Sequence, residues 1–303
     1  MKAILHIIKD WTLPIAMLIG AIAYKPLAQL GHLTPWLIVA MLFLTFSKLS
    51  IKELKIEPMH LWILLVQIGG GLLLYFLLRP IHPIIAQGAM ICVLAPTATA
   101  SPVITGKLGG NIATLTTFTL ISNLSVAIVA PICFPLIESE QHPNFLTGCF
   151  IILKRVFPLL LGPCIAAQII KTLTPSLHKH VTKCYGAGFY IWAISLTIVT
   201  AQTLQSLINQ TQYADIAIIT ALIALIALIA CLLQFYIGKR IGATYNNRIS
   251  GGQALGQKNT ILAIWMTHAY LNPVAAIAPG AYVIWQNLFN SWQLWQKRKQ
   301  DKQ

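Results

Sequence analysis

Long apolar runs alternate with short polar segments along the whole chain. A helix needs about 20 consecutive apolar residues to cross the hydrocarbon core of a bilayer. Runs bounded by Pro, Gly and charged residues therefore predict ten membrane-spanning helices and no separate soluble domain. These spans lie near residues 11–30, 33–47, 58–78, 83–108, 111–137, 145–170, 184–208, 213–238, 247–270 and 273–295.

Composition and charge agree with an all-α membrane protein. The chain is 57% hydrophobic and 9% charged, with a mean hydropathy of +0.73, whereas soluble domains carry about a quarter charged residues. The net charge of +14 comes from short basic clusters between apolar runs, so we expect no nucleic-acid partner. Counted over ten spans, the loops on the outer side hold only Lys25 and Arg79. Retention of Lys and Arg in the cytoplasm then predicts an inner-membrane protein with an uncleaved first helix and both termini cytoplasmic.

Motifs for catalysis, redox chemistry or metal binding are absent from the sequence. The six cysteines form no CxxC pair and have no histidine at ligand spacing, so we read them as small apolar residues of helices. There is no HExxH, no Asp-rich diphosphate motif and no Ser/His/Asp set at comparable depth. We therefore expect no catalytic residue, no metal site and no cofactor, and a protein that is not an enzyme.

Two predicted spans are interrupted, about half a chain apart. The fourth contains residues 95–102, with two prolines, and the ninth contains residues 251–260, with glycines and amides. Irregular backbone at membrane depth is tolerated only inside protein or beside a wet cavity. Paired breaks in two halves point to a transporter site between inverted five-helix repeats, here residues 1–140 and 141–303. Kinks that serve packing alone are the alternative, although both breaks also concentrate polar side chains.

At these breaks the chain resembles the bile acid:sodium symporter family. The family pattern P-G-G-T-A-S-N-V, followed by G-N-V-A-L-S, corresponds to residues 96–103 and 110–115, which read PTATASPV and GNIATL. The family pattern E-x-G-x-Q-N-S-G-L-A corresponds to residues 254–263, which read ALGQKNTILA. A family W-H-N in the tenth helix corresponds to residues 285–287, which read WQN.

This resemblance implies a core domain, in which the discontinuous fourth and ninth helices cross, and a panel domain of the first, second, sixth and seventh helices. It also implies alternating-access secondary transport of small organic anions. We expect a monomer whose partners are the anion and the lipid bilayer. A non-transporting sensor or receptor on the same fold, and an intramembrane enzyme, are the alternative functions.

The positions that match the family's sodium ligands are only partly retained. Remnants of the sodium sites are Ser101, Thr119 and Gln67. Substitutions at the other ligand positions are Pro102, Leu115, Ala254 and Lys258. All seven acidic residues lie at predicted span ends or in loops, so no carboxylate remains in the membrane core to bind a hard cation. Transport without the family's sodium coupling is therefore expected.

Lys258 is the one ionisable residue firmly inside a predicted span, and intramembrane charge marks a functional candidate. Three interpretations of this ammonium are open. It replaces sodium beside residues 97–101, or it binds the anionic group of the substrate. In the third, the span is shallower and the long side chain snorkels, extending to the inner membrane surface. Resemblance and polarity at apolar depth indicate four further substrate contacts. These are Thr99, Asn259, Gln286 and Asn287.

Overall fold

The computed structural model describes residues 12–48, 54–137, 144–209 and 216–301. Five of the seven acidic residues, Asp10, Glu53, Glu138, Glu140 and Asp215, lie outside the described residues. Within the described residues the chain is helical, and the extended backbone pairs only at one isolated bridge. The predicted all-α class is confirmed.

Six helical stretches of the described chain are long and apolar enough to cross a membrane. The two predicted spans that contain the breaks are divided into shorter helices, and the last predicted span is a less apolar helix with a basic end. The count of ten spans therefore stays a prediction. The six stretches are Tyr24–Phe46, Pro58–Leu78, Ile112–Ile137, Phe145–Leu173, Pro175–Asn209 and Ala217–Ala243.

The chain forms two compact units, of which the first combines residues 1–48 with 162–214. Its longest complete helix packs against the three N-terminal α-helices. The approach is close at Gly20, where an added Cβ would lie 2.5 Å from the carbonyl oxygen of Thr197. The helices of this unit are α1 (Thr12–Ile22), α2 (Tyr24–Ala28), α3 (Thr34–Phe46), the second part of α8 (Phe145–Leu173), α9 (Pro175–Lys183) and α10 (Ala187–Asn209), with 3-10 turns at Gln29–Leu33 and Cys184–Gly186.

The second unit combines residues 49–161 with 215–303. The long apolar helix near its centre, at residues 216–243, packs closely against the helix at residues 248–256 through facing glycines. Its helices are α4 (Pro58–Leu78), α5 (Pro83–Leu94), α6 (Ser101–Leu108), α7 (Ile112–Ile137), the first part of α8, α11 (Ile216–Ala243), α12 (Arg248–Gly256), α13 (Thr260–Tyr270) and α14 (Ile277–Gln300), with a 3-10 turn at Pro273–Ala276.

Local sequence explains where several of these helices begin and end. Glu57 and His60 form a reciprocal capping box at the start of α4, with Pro58 at the first helical position. Pro96 disfavours helical backbone at the residue before it, so α5 stops and the chain becomes extended. Gly109 ends α6 with a φ of 85°, a left-handed conformation that glycine adopts without strain.

Candidate functional site: the crossing of two broken helices

The two interruptions predicted from sequence meet inside the second unit. Residues 95–100 separate α5 from α6, and residues 257–259 separate α12 from α13. Thr97 and Lys258 form an antiparallel bridge between these segments. The flanking bonds run from the Ala98 amide to the carbonyl of residue 257 (2.9 Å) and from the amide of residue 259 to the carbonyl of residue 96 (2.8 Å). We call this pair of segments the crossing.

The carbonyl groups freed where α5 ends each receive a side-chain donor. Gln234 Nε2 donates to the carbonyl of residue 92 at 3.2 Å, and Lys258 Nζ donates to that of residue 93 at 2.8 Å. Gln67 Nε2 donates to the carbonyls of residues 94 and 95 at 3.0 and 3.2 Å. Buried carbonyls without partners are costly, so these three side chains make the break tolerable at membrane depth.

The amide of Thr97 is satisfied by the same network. It donates to Ser122 Oγ at 3.0 Å, and the Ser122 hydroxyl donates to Gln67 Oε1 at 2.9 Å. The Thr97 hydroxyl donates to the carbonyl of Ala254 at 2.6 Å, which ties the first break to the end of α12. All four residues are buried, so the backbone at the first break is held by a buried polar network.

The second break is held mainly from α14. Tyr282 OH donates to the carbonyl of Gly256 at 2.8 Å. Gln286 makes two hydrogen bonds to the backbone of Lys258. Its Oε1 accepts from the amide at 2.8 Å, and its Nε2 donates to the carbonyl at 3.3 Å. The Asn259 side chain caps the first turn of α13. Gln286 and Asn259, predicted as substrate contacts, thus shape the backbone of the crossing.

The side chain of Lys258 is fully enclosed, with 1% of its surface exposed. Its ammonium lies at the carbonyl end of α5, where the helix dipole favours positive charge. No carboxylate pairs with it among the residues that the structure describes. The ammonium points into the protein and does not extend to the membrane surface. The third interpretation of Lys258, a snorkelling side chain, is therefore wrong.

Two of the three retained positions, Ser101 and Thr119, make local hydrogen bonds. Ser101 Oγ donates to the carbonyl of residue 98 at 2.6 Å, and Thr119 Oγ1 donates to that of residue 115 at 2.9 Å. The predicted substrate contact Thr99 is buried beside the crossing, with 7% exposure. Asn287 is half-buried on α14, where its amide donates to the carbonyl one turn earlier.

Two of the substituted positions lie in one apolar cluster. Leu115 and Ala254 are both 0% exposed and pack with Met59, Ile63 and Phe118. Pro102, a third substitution, is an early residue of α6 and brings no side-chain oxygen. Sodium requires several oxygen ligands. The side chains at these three positions supply no oxygen ligand.

Three residues that hold the crossing were missed from the sequence. Ser122 and Tyr282 were hidden in apolar spans, and Gln234 ends a run of Leu, Ile and Ala. The available signal was an isolated polar group at apolar depth, which must find a partner inside the protein. That signal indicates burial but does not identify the partner.

The apolar helices of spanning length and the buried crossing of two broken helices define a multi-pass helical membrane protein. No protein-family model matches the sequence. The chain is 26% identical over 222 residues to the uncharacterized sodium-dependent transporter YocS of Bacillus subtilis (strain 168), an alignment covering 72% of this chain and 67% of the Bacillus protein. This similarity supports a transporter role.

Proposed function

We propose that this protein is a secondary transporter of small organic anions that works by alternating access without sodium coupling. The similarity to a bacterial transporter and the resemblance of both breaks to the bile acid:sodium symporter family support the substrate class and the mechanism. Ten spans, inverted repeats over residues 1–140 and 141–303, and cytoplasmic termini belong to this proposal. So does a monomeric state.

The observation that carries the proposal is the buried ammonium of Lys258 at the crossing. A fixed positive charge inside a membrane protein is costly unless other groups compensate it. The carbonyl end of α5 supplies one such group, and no carboxylate among the described residues supplies another. When Lys258 is protonated, the crossing therefore carries a positive potential, which favours an anionic cargo nearby and opposes a second cation.

Sodium independence follows from the same charge and from the lost ligands. An ammonium at the position of a family sodium ligand repels a metal cation, and the apolar cluster around Leu115 and Ala254 supplies no oxygen side chain. In this proposal the protonated lysine takes the place that a bound sodium ion has in sodium-dependent relatives. The Bacillus relative is named sodium-dependent, so this chain would differ from it in coupling.

The division of the chain supports a panel and a core. The first unit contains the predicted first, second and seventh spans and the end of the sixth, whose first part lies in the second unit. These are the helices that the resemblance assigns to the panel. The second unit contains both breaks and so corresponds to the core. A compact core that carries the crossing suits an alternating-access carrier.

Uptake in sodium-free buffer tests the proposal. A thermal-shift screen of carboxylates and sulfonates, with and without sodium, first selects a stabilising anion. Proteoliposomes then take up that labelled anion in sodium or in choline buffer, with wild type, Lys258→Gln and the exposed control Lys299→Gln. We expect equal wild-type uptake in both buffers, a large loss in Lys258→Gln and none in the control. Strict sodium dependence of wild-type uptake would contradict the proposed lack of sodium coupling. Binding of the anion without its counterflow across the liposome membrane would contradict transport.

A further inference from the structure

An open cavity of about 590 Å³ lies on the second unit, away from the crossing. It is formed by the start of α4, the last turn of α11 and the turn that follows. Its lining combines an indole, a guanidinium and two hydroxyl-bearing side chains. The residues that carry these groups are Trp62, Arg240, Thr244 and Tyr245.

Arg240 is the charged group of this cavity. Its side chain is exposed, and within the described part of the chain it forms no ion pair or hydrogen bond. Glu57, the acidic residue at the same end of α4, already accepts hydrogen bonds from Thr114 and Asn247 at 3.1 and 3.4 Å. The five donors of the guanidinium are therefore available to an anion, and their planar geometry matches two phosphate oxygens.

An apolar stripe leads along α11 to this arginine. Exposed side chains recur every three or four residues, so they share one face of the helix. The helix α4 contacts α11 and exposes Leu61 and Leu65 in the same turns as Trp62. The stripe on α11 consists of Leu225, Ile229, Leu232 and Tyr236, exposed by 51, 48, 45 and 61%.

We propose that this cavity binds an anionic phospholipid, with the phosphate on Arg240 and an acyl chain along the α11 stripe. Trp62 and Tyr245 are amphipathic side chains of the kind that lie at headgroup level. A basic pocket beside membrane helices recognises lipid phosphate by charge. A free phosphate ion would use the arginine but would gain nothing from the long apolar stripe. The continuity of the two features therefore selects a lipid as the occupant.

Binding of fluorescent phosphatidylglycerol to the detergent-purified full chain tests this site. We expect Arg240→Gln to weaken binding about fivefold, the effect of one basic residue near an anionic lipid. Arg298→Gln, which removes the same charge from an exposed position on α14, serves as the matched control and should bind like wild type. Both side chains are exposed, so both variants should keep the wild-type melting temperature.

Competition separates the lipid from a simple anion. Unlabelled phosphatidylglycerol should displace the probe, whereas phosphatidylcholine and inorganic phosphate should not at matched concentration. Equal loss in the two arginine variants would mean a diffuse charge effect and would overturn the site. Displacement by inorganic phosphate alone would mean an anion pocket and would overturn the lipid assignment. Neither result bears on sodium coupling or uptake, which depend on the crossing.

Discussion

The Tyr282 hydroxyl is one oxygen atom whose removal tests how the second break is stabilised. It donates to the Gly256 carbonyl at 2.8 Å and accepts from Gln234 Nε2 at 3.0 Å. All the surrounding side chains are buried, and Tyr282 itself is 0% exposed. Tyr282→Phe keeps the ring and its packing while it removes both bonds.

The expected loss of stability can be bracketed from these contacts. Hydrogen bonds between membrane helices average about 0.6 kcal/mol in double-mutant cycles, so two bonds give a lower limit of about 1 kcal/mol. Two buried groups left without partners cost about 1–3 kcal/mol each, which gives an upper limit near 6 kcal/mol. Gln234 keeps its bond to the carbonyl of residue 92. We therefore expect a loss of about 2 kcal/mol.

Equilibrium unfolding in mixed micelles measures this loss as a difference in the free energy of unfolding. Tyr236→Phe is the matched control, because Tyr236 is 61% exposed and has no hydrogen-bond partner in the described part of the chain. It should change the unfolding free energy by less than about 0.5 kcal/mol, as surface substitutions do. If Tyr282→Phe is as neutral as this control, the carbonyl of Gly256 has another partner and the proposed support of the break is refuted.

Two further substitutions test the framework of the second unit. Gln67→Met leaves two carbonyls of the first break unpaired and should cost about 2–4 kcal/mol of unfolding free energy in mixed micelles; a neutral result would contradict the network. Gly238→Ala should cost about 1–3 kcal/mol through overpacking, because its Cβ would overlap the carbonyl oxygen of Gly251. Gly280→Ala, with open space around it, should be neutral or slightly stabilising in the same assay.

Hydrophobic pattern alone sufficed for the protein class and for the places where the chain breaks. Apolar runs of membrane length require helices, because lipid offers no hydrogen-bond partners to the backbone. The prolines and polar residues at 95–102 and the glycines and amides at 251–260 marked the two interruptions. The structure has a break in each place, but the second is limited to residues 257–259, because residues 251–256 form the end of α12 and their glycines allow close packing against α11. These features are local, so periodicity and proline chemistry were enough to read them.

The partners at the crossing were decided only by the tertiary structure. The sequence left three interpretations of Lys258. The packing of α5 encloses the ammonium against the carbonyl of residue 93, and this excludes the snorkelling side chain. Ser122, Gln234 and Tyr282 were unrecognised because their partners lie far away along the chain. Periodicity reports which face of a helix is buried. It carries no information about which distant carbonyl a buried donor meets, because that depends on how helices from separate parts of the chain pack together.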